Sequence, residues 1–235
     1  MLHRIVRLAG IDYRRYTPVN FVTLRRARIM RDASVRLVLD VGAHDGGYGR
    51  EIRQYGYQGA IFSFEPLSAP YQQLEQAARE DGRWRTQRLG IGSAPGETLI
   101  HVSNHPTSSS LLKMTQAHEQ ACPGSEVVRT EQIRIERLDK LMDPAECKGT
   151  AAWLKIDVQG YEKHVLEGAG SLLASFSAIE VELSLACLYE GAPLIEEMMV
   201  YLRQRGFRPV SLEDAFVDRH TAHLMQVNGI FLRKD

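Results

Sequence analysis

Several absences narrow the reading of this 235-residue sequence before any motif does. Lys+Arg and Asp+Glu balance at 29 each, so no overall field marks a nucleic-acid binder, and only local patches of charge stay open. Cysteine is scarce. Cys122, Cys147 and Cys187 are odd in number and far apart, with no CxxC spacing, which argues against a disulfide framework or a zinc site. No stretch approaches the roughly 18 apolar residues of a membrane helix, and no signal-peptide core follows the amino terminus. The expectation is a reduced, cytoplasmic protein without a membrane span. Walker, G-x-S-x-G and HExxH motifs are missing, as are repeats and low-complexity tracts. What is present in quantity is apolar: a hydrophobic fraction of 44% is ample for the core of one ordinary domain.

The first 34 residues stand apart as a basic helical extension. Arg4, Arg7, Arg14, Arg15, Arg25, Arg26, Arg28 and Arg31 face only Asp12 and Asp32. Apolar residues from Leu2 to Ala9 suggest a short amphipathic helix, Thr17-Pro18 breaks it, and Asn20 to Arg31 reads as a second. The extension is either a cap packed on the domain edge or an arm that contacts an anionic partner.

From 35 to 235 the pattern is one domain of alternating strands and helices. Strands are expected at Arg36–Val41, Ala60–Glu65, Trp84–Ile91, Glu97–Val102, Val127–Ile135, Ala151–Asp157 and Ala178–Leu183. Helices are expected at Gly47–Tyr55, Pro70–Glu80, Tyr161–Leu173 and Leu194–Arg205. Phe207–Leu212 and Gln226–Leu232 have only a loop between them, so that closing pair must be antiparallel. The predicted fold is α/β and doubly wound (Rossmann-like): a mostly parallel sheet with a C-terminal antiparallel hairpin and helices on both faces. Ser103–Ser125 is polar, helix-poor and long enough to be a lid or substrate loop.

The densest signal is Val38 to Tyr48, VLDVGAHDGGY. An apolar strand ends in Asp40 and turns through Gly42, Gly46 and Gly47 into a helix, and a second strand, AIFSFEP, ends in Glu65. These are the parts of a nucleotide site. In a dinucleotide fingerprint the second glycine lets the backbone touch a pyrophosphate. Counting from Gly42, that position is His44, whose imidazole fills the space. A ligand with an adenosine and no phosphates, S-adenosylmethionine, fits better. Glu65 is placed to accept both hydrogen bonds of a ribose diol. Asp40 is placed to orient the turn or, through water, the methionine amino group, or simply to cap the turn. Gly42 and Gly46 let the backbone approach, and Gly90 and Ile91 in LGIGS would lie along the adenine edge.

A second cluster is WLKIDVQGYEKHVLEG, Trp153 to Gly168. Asp157 ends a buried strand, Glu162 enters the first turn of a helix, His164 follows one turn in, and Lys155 must pair with a carboxylate or reach the surface. In IEVEL, Glu180 and Glu182 share a face, and inward acids are costly unless paired or liganded. Asp157 and Glu182 would end neighbouring strands at one rim. There they can act as general base for a hydroxyl, hold a divalent cation, or bind nearby basic groups. His101, His105 and His118 lack metal-ligand spacing and are assigned to hydrogen bonding over the site, and no metal is assigned. Ser110 is the expected anchor of the lid.

VLDVGAHDGGY, the strand ending FEP, Ser109–Leu112, LKIDVQGYEKHVLEGA and the closing VNGIFL together resemble the FkbM-type family of S-adenosylmethionine-dependent methyltransferases, from about Val35 to the end. The resemblance implies a class I methyltransferase fold and methyl transfer to an oxygen, typically a hydroxyl of a sugar or natural product. It puts Asp40, Gly42 and Glu65 at cofactor positions and Asp157 and Glu162 in a fourth-strand motif. His44 departs from the family's usual asparagine. The expected activity is therefore O-methylation of a small-molecule or sugar hydroxyl, with Asp157, Glu162, His164 and Glu182 as catalytic candidates. Rival readings are a carboxylate acceptor, a nicotinamide-dependent oxidoreductase, or a non-catalytic module that binds the cofactor. No nucleic-acid partner is expected, and a homo-oligomer stays open.

Overall fold

The computed structural model describes residues 14–147 and 151–234. The amphipathic helix expected from Leu2 to Ala9 lies outside them. In chain order, α1 (Val22–Asp32) precedes β1 (Leu37–Val41), α2 (Gly47–Gln54), β2 (Ala60–Phe64), α3 (Ser68–Arg79), β3 (Trp84–Gln87), β4 (Gly90–Ile91) and β5 (Gly96–Ser103). Then come α4 (Gln116–Ala121), β6 (Val127–Glu136), α5 (Leu138–Leu141), α6 (Pro144–Cys147), β7 (Ala152–Ile156), α7 (Glu162–Ala169) and a 3-10 segment, Gly170–Ser175. The chain closes with β8 (Phe176–Ser184), α8 (Ile195–Gln204), β9 (Phe207–Val217) and β10 (Leu224–Arg233).

Among the described residues, seven strands form one sheet in the order β3-β2-β1-β7-β8-β10-β9. The first five are parallel, and β10 runs antiparallel to both β8 and β9. This is the expected parallel sheet with its closing hairpin. Every residue of β1 (LVLDV) and β7 (AWLKI) is buried, as strands covered on both faces require. One face carries the core built around Leu39, Leu154, Ile156, Val165 and Phe176. The other carries Val38, Ile52, Trp84, Trp153 and Ile230, with Met30 of α1 packed among them.

Three expectations need correction. Trp84–Ile91 is not one strand: β3 edges the main sheet, whereas β4 pairs with β6 in a three-stranded sheet of order β4-β6-β5. Leu89 N still bonds Glu65 O, after which Gly90 and Ile91 leave the main sheet to pair with Ile135 and Glu136. The Ser103–Ser125 segment contains α4, started by Thr115, whose side chain accepts from His118 N. The helix expected to reach Leu173 stops at Ala169, because Gly170 takes φ +50° and the chain tightens into the 3-10 segment.

From β1 the chain moves outward to β2 and β3, then returns to β7 on the other side of β1. That reversal opens a crevice at the carboxyl ends of β1 and β7, where ligands bind in such sheets. The crevice is closed tightly below. Asp157 N donates to Val41 O at 3.0 Å, and Gly42 follows with φ +77°. A Cβ on Gly42 would stand 1.8 Å from Asp157 O. Gly42→Ala should therefore cost about 2–5 kcal/mol, combining backbone strain with a backbone clash. Gly56→Ala (φ +94°, no atom within 4 Å of the added Cβ) should cost only about 1–2 kcal/mol. Denaturant unfolding of both variants measures the difference, and equal losses would remove the steric argument.

Candidate active site

The glycine turn is tied to the end of β2 by one carboxylate. Glu65 Oε2 accepts from His44 N and Oε1 from Leu67 N, both at 2.9 Å. His44 adopts φ +49°, which directs its amide to that oxygen. Each carboxylate oxygen keeps a lone pair for an outside donor. Burial pushes the Glu65 carboxyl up to about 7, against the opposing pull of the two amides.

Above Glu65 runs a cleft lined by Gly42, His44, Leu89, Gly90, Ile91 and Asp157, and roofed by Pro106, Thr107 and Leu111 of the loop. Its cavity volume is about 100 Å³. Past Gly42, His44 and Asp157 it gives onto a second cavity of about 430 Å³, bordered by Arg26, Asp45, Tyr48, Lys155 and Asn228. An apolar slot beside a buried acid, leading to a chamber with both charge signs, matches an adenosine joined to a zwitterionic amino acid. The largest cavity, about 690 Å³, lies beside Arg36 and Ala60 at the amino ends of the strands, on the wrong side for this sheet's ligand.

A third cavity, also about 430 Å³, opens over β8 and the hairpin, beside His105, Gln159, Glu182, Phe216, Arg219 and Gln226. Glu182 is half-buried and accepts from Gln159 Nε2 at 2.9 Å and Gln226 Nε2 at 2.6 Å. Burial raises its carboxyl well above the usual range, and the charges of Asp157 and Glu162 add to the rise. The loop is fastened here: Ser110 Oγ donates to Gln159 O at 2.6 Å, and Tyr189 Oη donates to Gln159 Oε1 at 2.9 Å. His118 is buried behind Tyr189, within 3.3 Å of its hydroxyl and 3.1 Å of Ser125 Oγ. Burial lowers it to about 4, which keeps the imidazole neutral.

The crevice thus brings together Gly42, His44, Glu65, Gly90, Ile91 and Asp157 on the cofactor side, with Glu182 facing the third cavity. Four other candidates lie elsewhere. Asp40 is wholly buried beneath the turn, held by Ser63 Oγ and by Lys155 Nζ at 3.1 Å. Gly46 makes room for Trp84 and Leu74. Glu162 is buried, and its Oε1 accepts from Val158 N and Gly160 N, so it braces the turn after β7. His164 stacks on Tyr161 at 4.0 Å and borders none of the cavities found among the described residues. Sequence reasoning passed over Gln159, Tyr189, Phe216 and Gln226. Only Gln159 carried a signal, as the polar residue that directly follows the strand-end acid and precedes Gly160.

This sheet, with its antiparallel closing strand and its crevice over β1 and β7, is the class I methyltransferase fold. The profile of the methyltransferase FkbM domain matches residues 40–209, and the chain belongs to that family. It is a methyltransferase, and S-adenosylmethionine is its methyl donor. No curated protein matches the sequence. Among solved structures, an rRNA methylase from Streptococcus thermophilus superposes with a TM-score of 0.50 at 10% identity, covering 95% of this chain and 100% of that one. The magnesium protoporphyrin IX methyltransferase of Synechocystis, with bound S-adenosylmethionine, gives 0.44 at 9% identity over 99% of this chain and 89% of its own. The 1,6-didemethyltoxoflavin-N1-methyltransferase of Burkholderia thailandensis, with bound S-adenosylhomocysteine, gives 0.45 at 13% identity over 96% and 94%. The first of these likenesses is one of fold. No helix among the described residues is long and apolar enough to cross a membrane.

Donor binding should depend on pH through Glu65. If Glu65 takes the ribose diol, the two donated hydrogen bonds require the ionised carboxylate, and binding must expel the proton that Glu65 holds below about 7. Affinity for S-adenosylhomocysteine should rise with pH up to about 7 and level off above it, weakening about tenfold per unit on the acid side. Calorimetry at several pH values reads this directly. A flat profile in the wild type, or an unchanged one in Glu65→Gln, would contradict the assignment.

Proposed function

We propose that the protein methylates a hydroxyl oxygen of a sugar or small natural-product acceptor bound in the third cavity. The supporting observation is Glu182, which lines that cavity with Gln159, Gln226, Thr107, Phe216, two histidines and a rim arginine, and which Gln159 links to Asp157 at the neighbouring strand end. Such a lining suits a polyhydroxylated ring better than a charged acceptor. S-adenosylmethionine supplies a methyl carbon on a sulfonium whose sulfur keeps the bonding electrons. The protein has to align the acceptor and take its proton. Glu182 is placed in the acceptor cavity to receive that proton, as alignment supplies most of the remaining rate. Asp157 reinforces the negative field at the same rim. Glu65 and the turn amides hold the donor, and Glu162 keeps the turn after β7 in shape.

Methyl-labelled donor incubated with a panel of sugars and hydroxylated metabolites tests this reading. The product should be an ether, stable to mild alkali, and Glu182→Gln should lower kcat by about 10²–10⁴-fold. Label released as methanol by mild alkali would identify an ester, hence a carboxylate acceptor, and would overturn the hydroxyl assignment.

A further inference from the structure

Gln159 occupies the boundary between donor and acceptor. Among the described residues, Thr107 and Gln159 line both the donor cleft and the third cavity, and Thr107 belongs to the exposed loop. Gln159 is half-buried and held in an uncommon backbone state, φ +57°, which a non-glycine residue keeps only where its surroundings enforce it. The enforcement is visible. Its carbonyl accepts from Ser110 Oγ at 2.6 Å, and its side-chain oxygen accepts from Tyr189 Oη at 2.9 Å. That second bond fixes which way the amide points. The nitrogen is left to donate to Asp157 Oδ1 at 2.8 Å and Glu182 Oε2 at 2.9 Å. Ionised carboxylates only accept, so one NH₂ group bridging both uses its two protons where two negative charges approach each other.

We propose that Gln159 is a positioning residue for methyl transfer: its amide bridges the carboxyl groups of Asp157 and Glu182 and holds them together toward the donor's sulfonium, and the loop keeps it oriented through Ser110 and Tyr189. The proposal rests on the methyltransferase reading above. Several groups face Glu182 and enter its titration. Asp157 and Glu162 oppose its ionisation, while Lys155 and the Gln159 amide favour it. From β10, Gln226 donates to it. His105, His118 and Arg219 border the same cavity, and His118 is neutral at working pH.

The donor and its product differ in charge at one atom, which gives a readout independent of turnover. S-adenosylmethionine is cationic at sulfur and S-adenosylhomocysteine is not. Negative charge gathered at that atom should make the protein prefer the former, and the preference should grow as rising pH ionises Glu182, whose carboxyl burial holds above the usual range. The contribution of Glu65 is common to both ligands and cancels in the ratio of their Kd values. Calorimetric Kd ratios should be measured from pH 6 to 9 for the wild type, Gln159→Leu and Tyr189→Phe. Losing the bridging amide should move the midpoint of the ratio upward by about one pH unit in Gln159→Leu. Tyr189→Phe, which keeps the amide but frees its orientation, should give a smaller shift in the same direction, and it serves alone if Gln159→Leu fails to fold. A role in packing alone would weaken both ligands equally and leave the midpoint in place. Identical midpoints in every folded protein, or a wild type that never prefers the cation, would overturn the proposal while leaving donor binding intact. Failure of the wild type to bind either ligand, with Glu65→Ala indistinguishable from it, would instead refute the donor site, and this proposal with it.

Discussion

A buried ammonium holds the site in place. Lys155, its side chain only 10% exposed, sits 3.1 Å from Asp40 and 3.7 Å from Asp157, and donates to Gly42 O at 3.1 Å. Burial alone would lower its pKa, but the two carboxylates outweigh that and hold it above the usual lysine range, so it stays charged. Strand register places Ser63, Asp40, Lys155 and Glu180 side by side across β2, β1, β7 and β8. Arg26 of α1 completes the row, pairing with Glu180 at 2.8 Å and Glu51 at 2.5 Å. Two buried acids thus meet two buried cations. Such pairs gain little over a well-packed apolar core, yet removing one partner costs about 3–5 kcal/mol. The row's contribution is geometric: it ties four strands and α1 together directly beneath the glycine turn, at the one carbonyl that turn cannot move without losing its ion.

The cavities depend on that placement. With Gly42 pressed against Asp157 O, the turn directs His44 N at Glu65, and the apolar cleft and charged chamber meet over Gly42, His44, Thr107 and Asp157. The roof belongs to a less constrained part of the chain. Pro106 and Thr107 are exposed, whereas Ser110 and Thr115 are fastened to Gln159 O and Cys187 O. A cleft of about 100 Å³ is small beside the roughly 300–1,000 Å³ of ligand sites.

Much of this was legible in the residues. β1 and β7 read as buried strands because continuous apolar runs ended in acids, and the antiparallel finish followed from a missing crossover helix. The place of Glu65 at the end of β2, beside the glycine turn, was legible from its spacing. Asp40 was not, because a strand-end acid looks the same whether it faces a ligand or a lysine one strand away. Lys155 was half legible, as a cation that had to find a carboxylate. The surroundings of His164 were not legible, because period alone cannot distinguish a stack on Tyr161 from a side chain turned to the cleft. The acceptor side was hidden for a different reason. Gln159, Tyr189, Phe216 and Gln226 come from four separate segments, and only the fold of the loop and hairpin over β8 brings them together. The split of Trp84–Ile91 was hidden likewise, since Gly90 and Ile91 take their partners from β6, far along the chain.

The most direct test of the account is a crystal structure with S-adenosylhomocysteine bound. The ribose hydroxyls should lie on the Glu65 carboxylate, the adenine beside Gly90 and Ile91, and the sulfur toward the Gln159 wall, with Lys155 still on Gly42 O. A ligand seated in the cavity beside Arg36 and Ala60, or a ribose held by another acid, would contradict it.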